Sequence, residues 1–133
     1  MIVNRGLDEE AREPKYARIE WERRWLIESA RRPPMDGQWM TIIDDRYIEG
    51  TRMRLRRMTR PDLREVKWKL TKKYECADPS ARPIVTSYLT EAEYDLLRAL
   101  PARELVKRRY HLPFDGRYWS LDVFEGPLRG LAT

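Results

Sequence analysis

Between residues 66 and 74 the side chains follow a period of two. Val66, Trp68, Leu70 and Tyr74 fall on one side, and Lys67, Lys69, Thr71 and Lys73 on the other. Successive side chains of an extended chain point to opposite faces, so this pattern requires a strand with one apolar and one basic face. The alternation recurs elsewhere. From Ala17 onward, Ile19, Trp21, Trp25 and Ile27 oppose Glu20, Glu22 and Arg24. Residues 39–48 predict a second strand, closed by the turn at Glu49-Gly50. Over residues 51–58, Arg52, Arg54 and Arg56 oppose Met53 and Leu55. Residues 84–89 are rich in β-branched side chains, and residues 105–112 and 118–124 flank Asp115-Gly116, a strong two-residue hairpin signal.

One segment has a different period. Thr90 followed by Glu93 makes a capping box, Leu96, Leu97 and Leu100 offer an apolar face, and Pro101 stops the helix. Strands joined by short turns imply an antiparallel meander, mainly β, that closes toward a barrel. The breaks fall at Arg31, Arg32, Pro33, Pro34, Asp36 and Gly37, at Thr59-Arg60-Pro61-Asp62, and at Asp78-Pro79-Ser80. Residues 1–15 lack a period and are expected to form a loose arm before one domain at 16–133. A length of 133 residues with 41% apolar content suits one core. No apolar run is long enough to span a bilayer, and a single cysteine, Cys76, points to a reducing compartment, the cytoplasm.

The polar faces of these strands are of one sign over much of their length. Arg52/Arg54/Arg56, Lys67/Lys69/Lys73 and Lys107/Arg109 are almost purely cationic, and the chain carries a net charge of +5. Neighbours two apart on a face lie ~7 Å apart and repel by about 2 kcal/mol at an effective dielectric near 20, but by about 0.6 kcal/mol in water. Such a face is either solvated, as the wet side of an ordinary half-buried sheet, or lines a concave space that holds anions. Glu20 and Glu22 supply two carboxylates at a separation that suits a hard divalent cation. Trp21, Trp25 and Trp68 lie opposite the charged faces and are expected in the core. His111, alone near a hairpin end, and Cys76, without an activating partner, are not assigned chemistry.

The segment Ile19-Glu20-Trp21-Glu22-Arg23-Arg24-Trp25-Leu26 resembles the Glu-x-Glu-x-Lys opening of the CYTH superfamily, the triphosphate tunnel metalloenzymes. Arg54-Leu55-Arg56 is similar to the family's Arg-x-Arg strand, and Leu70-Thr71-Lys72-Lys73 to its Leu-Thr-x-Lys strand. Lys107-Arg108-Arg109-Tyr110 and the segment from Trp119 to Gly126 resemble its later basic strand and its Asp-Val-Phe-x-Gly segment. The resemblance implies an antiparallel triphosphate-tunnel barrel of about seven to eight strands with one or two helices. It further implies that Glu20, Glu22 and Asp122 are catalytic and hold Mg²⁺ or Mn²⁺. Arg24, Arg54, Arg56, Lys73 and Arg109 would then bind phosphate, with Arg52, Lys69 and Lys107 as second-rank candidates on the same faces.

Three departures qualify the likeness. Arg24 stands where the family has lysine, which keeps the charge but changes a compact ammonium into a planar fork. Residues 82–88 contain no acid, and the sequence ends at Gly130-Leu131-Ala132-Thr133 without the family's further Glu-x-Glu strand. An open C-terminal edge is therefore expected, with pairing into a homodimer as its natural consequence. The function implied is binding and hydrolysis of inorganic tripolyphosphate or a small organic triphosphate. The alternatives are a non-catalytic binding module and cyclisation of ATP, with nucleic-acid binding less favoured.

Overall fold

The computed structural model describes residues 15–35 and 39–133. The arm expected over residues 1–15 falls outside them except for Lys15, as do Asp36 and Gly37 of the first expected break. The strands are β1 (Arg18–Trp21), β2 (Met40–Ile48), β3 (Met53–Arg60), β4 (Glu65–Lys73), β5 (Ala81–Leu89), β6 (Ala102–Phe114) and β7 (Arg117–Phe124), with one helix, α1 (Glu91–Leu97). All seven strands are antiparallel and form one sheet in the order β1-β5-β4-β3-β2-β6-β7. The sheet curls into a half-barrel, as the mainly β expectation requires. Among the described residues no helix is long and apolar enough to cross a membrane.

Turn chemistry sets the tight hairpin. Asp115 (φ 52°) and Gly116 (φ 68°) both adopt left-handed backbone, the requirement of a type I′ turn, whose twist matches that of the strands it joins. Thr90 caps α1 as predicted: its hydroxyl accepts from the Glu93 N–H at 3.2 Å, and the Glu93 carboxylate accepts from the Thr90 N–H at 2.9 Å. The apolar face expected of α1 is corrected. Leu96 and Leu100 are exposed, and the helix is anchored by buried Tyr94, with Leu97 three residues on at its side.

β1 is shorter than the alternation suggested. Its partner β5 begins at Ala81, so the Glu22 N–H makes one last bond to the Ser80 carbonyl and the chain then leaves the ladder. The Ile27 N–H instead donates to the carbonyl of Ala132. The last residues in turn lie along β7: Asp122 and Thr133 exchange two backbone hydrogen bonds, and the Phe124 N–H donates to Leu131. Three residues thus cover part of the edge expected to be open, beside Asp122, Val123 and Phe124.

The core expectation for tryptophan also fails. Trp21 is 76% exposed, Trp25 is exposed beside Trp119 at a ring separation of 6.2 Å, and Trp68 is only half-buried. The buried apolar set among the described residues is small: Ile43, Ile48, Leu55, Leu121 and Phe124 in the strands, with Tyr94 and Ala132. Thr41, Asp45, Arg56, Thr71, Lys107 and Asp122 are buried with them.

Candidate functional site

Residues directly opposite in an antiparallel ladder share a face, so the register decides which charges meet. Tyr47 faces Arg54, which faces Thr71 and then Thr86; Asp45 faces Arg56, which faces Lys69 and then Tyr88. Ile43 faces Lys107, and Thr41 faces Arg109, which faces Asp122. Lys73 faces Ile84, which faces Arg18, and Glu20 faces Arg82. One face of the curled sheet therefore carries Glu20, Arg54, Arg56, Lys69, Lys73, Lys107, Arg109 and Asp122 together. Glu22 and Arg24 lie past the end of β1, and Arg52 lies in the turn before β3, exposed and paired with Glu75.

Asp45 is the residue the sequence reading missed, and it organises the centre of this face. It is fully buried and accepts from Arg56 twice, Nε to Oδ1 at 2.6 Å and a terminal nitrogen to Oδ2 at 2.7 Å. Arg54 lies beside the same carboxylate, with its Nε 3.8 Å from Oδ1 and its side chain only 12% exposed. That Nε is buried and has no hydrogen-bond partner among the described residues. Burial and the adjacent Arg56 charge pull the Arg54 guanidinium below its ordinary pKa. Two buried guanidiniums thus share one carboxylate, and the second is left short of an acceptor.

A second knot sits at β6 and β7. Asp122 accepts from Arg109 at 2.7 and 2.9 Å, and the Lys107 ammonium lies 2.7 Å from its Oδ2. Burial alone would raise the Asp122 carboxyl, but the hydrogen bonds from Arg109 and Lys107 carry it down to about 2. Lys107, almost fully buried, is held below its ordinary value by desolvation despite that partner. The Asp122 hydrogen bonds raise Arg109. Further round, Lys73 donates to Glu20 at 3.1 Å and Arg24 to Glu22 at 2.7 Å. Burial would raise Glu22, but Arg24, then Lys73 and Arg109, hold it below the usual carboxylate range. Lys69 has no carboxylate partner among the described residues and lies 5.1 Å from the Tyr88 ring.

The basic side chains of this face are thus less free than the sequence suggested: acids on neighbouring strands answer several of them. The remaining positive charge concentrates at Arg54, Lys69 and the half-buried Arg109. At the other end of β6, His111 stacks on Trp39 at 4.0 Å, with Arg60 over the same indole at 4.1 Å. Burial, then Arg109 and Arg60, lower the histidine's pKa.

The same geometry tests the expected divalent ion. Among the described residues no three carboxylate, imidazole or thiol side chains converge as a metal site. Glu20, Glu22 and Asp122 each already hold a cation, and both oxygens of Asp122 are occupied. The donors as arranged do not fit a resident Mg²⁺ or Mn²⁺.

A cleft of about 660 Å³ opens where the segment after β1 passes β7. Arg109 and Asp122 reach it from the concave face, Glu22 and Arg24 flank it, and Trp21, Trp25, Tyr118 and Trp119 supply much of its wall. Small-molecule sites commonly combine this size, an apolar wall and a few polar groups with shifted pKa values. No protein-family model, no curated protein and no solved structure matches the chain.

Proposed function

We propose that the concave face binds a triphosphate or a similar phosphate polyanion, as the likeness to the CYTH superfamily implies. Arg54 carries this reading. A buried guanidinium with an unsatisfied Nε, sharing one carboxylate with Arg56, costs stability unless an anion completes its hydrogen bonds. Lys69 and Lys73 flank it through the β3–β4 and β4–β5 ladders, and Arg109 and Arg24 extend the positive charge to the cleft. Lys107, engaged by Asp122, acts as a support for Arg109 rather than as a ligand in this scheme. Because the carboxylates do not fit a resident metal, we assign these residues binding and not hydrolysis. The lone Cys76 suits a cytoplasmic protein.

Calorimetric titration with tripolyphosphate in the presence of a chelator tests the proposal. The protein should bind without metal, and Arg54→Ala should weaken binding by about 1.5–3 kcal/mol, the loss of a charge-assisted hydrogen bond in a sheltered site. No binding, or unchanged binding in the variant, would refute the assignment. Affinity that climbs with oligonucleotide length and falls steeply with salt would mark a nucleic-acid surface instead.

A further inference from the structure

The other face of β6 and β7 gathers charge that the polyanion reading does not use. Arg108 and Val123 sit opposite each other in the ladder, one residue along from the Arg109–Asp122 pair, so they point to the side away from the concave face. There the chain after β7 and the segment between β1 and β2 meet at a pocket of about 610 Å³. Arg32, Arg108 and Arg129 line it together with Tyr110, and the one acid among its lining residues is Glu125. A terminal nitrogen of Arg32 donates to the Gly130 carbonyl at 2.8 Å, while its Nε is buried without a hydrogen-bond partner among the described residues. Arg108 donates from its Nε to Glu125 at 2.5 Å. The charges of Arg32 and Arg129 are thus left unanswered by the pocket's own acid.

Like charges around one concavity repel, and a sheltered guanidinium donor without an acceptor costs stability until one arrives. The lining carries three positive charges against one negative, so a doubly charged anion would neutralise it. Guanidinium forks match phosphate oxygens in pairs. The volume is that of a small-molecule site and leaves room for more than the phosphate itself. We propose that this pocket binds one phosphate group, free or at the end of a small phosphomonoester, independently of the polyanion on the concave face. The bound group would tie β6 to the segment before β2 and to the turn after β7, two stretches that the Arg32 bond to Gly130 already joins.

Inorganic phosphate and glycerol 3-phosphate serve as probes, titrated by calorimetry at an ionic strength held constant with chloride. The NMR signals of the arginine Nε–H groups report where they bind. Binding of either probe with movement of the Arg32, Arg108 and Arg129 signals is the expected result, and the tighter probe tells whether the pocket takes the free ion or the ester. Arg108→Gln and Arg129→Gln should each weaken binding roughly tenfold, the loss of one charge-assisted hydrogen bond. Arg117→Gln, which removes the same charge at the distant hairpin, should leave it unchanged. Arg108 and Arg129 are both exposed, so their variants should melt as the parent does. If neither probe binds, the proposal falls. Movement of the Arg54 and Arg109 signals in place of the pocket's three would overturn it by putting phosphate on the concave face. An equal loss in all three variants would overturn it as well, since net charge and not a site would then be responsible.

Discussion

Replacing Asp45 with alanine would remove the only carboxylate that the two central guanidiniums share among the described residues. Arg56, itself buried, would lose hydrogen bonds of 2.6 and 2.7 Å and be left as an uncompensated charge. Breaking a buried pair from one side costs about 3–5 kcal/mol, far more than losing an exposed ion pair, because the surviving charge stays desolvated. For a domain of this size that is a fall in melting temperature of roughly 10–20 °C. Urea unfolding with an unchanged slope against denaturant would measure it directly. Asp45→Ala combined with Arg56→Ala should cost much less than the sum of the two single changes, since the second removes the stranded charge. Tripolyphosphate should also stabilise Asp45→Ala more than it stabilises the parent, by supplying the missing acceptor. A loss below about 1 kcal/mol, or strict additivity of the pair, would show that water reaches Arg56 and that the centre is no sheltered anion site.

Two further outcomes follow from the geometry. The Asp122 carboxyl, at about 2 in the folded protein against 3.8 ordinarily, contributes stability that is fully present above the ordinary value and lost as pH falls through the folded one. Thermal melts should therefore drop between about pH 4 and pH 2, and Asp122→Asn should flatten that part of the profile. Removing residues 131–133 would bare the backbone of β7 beside Asp122 and Phe124 and free the Ile27 N–H, so the shortened chain should self-associate. Light scattering over a dilution series, compared with the full chain, would reveal it; identical masses would show that the edge needs no cover.

The parts of this fold that were legible beforehand are those decided locally. Period-two alternation over residues 66–73 depends on backbone geometry alone, as do the Asp115-Gly116 turn and the Thr90–Glu93 cap. The end of β1 was not legible, because it depends on where β5 begins, and nothing in residues 22–27 records that. Asp45 was hidden for a related reason. Asp44 and Asp45 are adjacent, one turned to each face, and only the register of β2 against β3 shows that Asp45 meets Arg56. Parity within residues 41–47, with Thr41, Ile43, Asp45 and Tyr47 on one side, was the available signal. The exposed Trp21 and Trp25 were misjudged because alternation tells which face a side chain occupies and not whether another layer covers it. Tyr94 was overlooked in favour of nearby leucines, although on so short a helix one well-placed ring suffices as an anchor.

An interior that buries four ionic side chains beside seven apolar ones among the described residues also changes how the protein should respond to temperature. Exposing apolar surface raises the heat capacity of the unfolded chain, whereas exposing polar surface lowers it. Here unfolding would release Asp45, Arg56, Lys107 and Asp122 alongside Ile43, Leu55 and Phe124. The two contributions oppose each other, so the heat-capacity increment per residue should fall below that of a domain with an oily core. Its stability curve is correspondingly broad and shallow: weak dependence on temperature around the maximum, and cold unfolding displaced further below freezing than for an apolar sandwich of equal length.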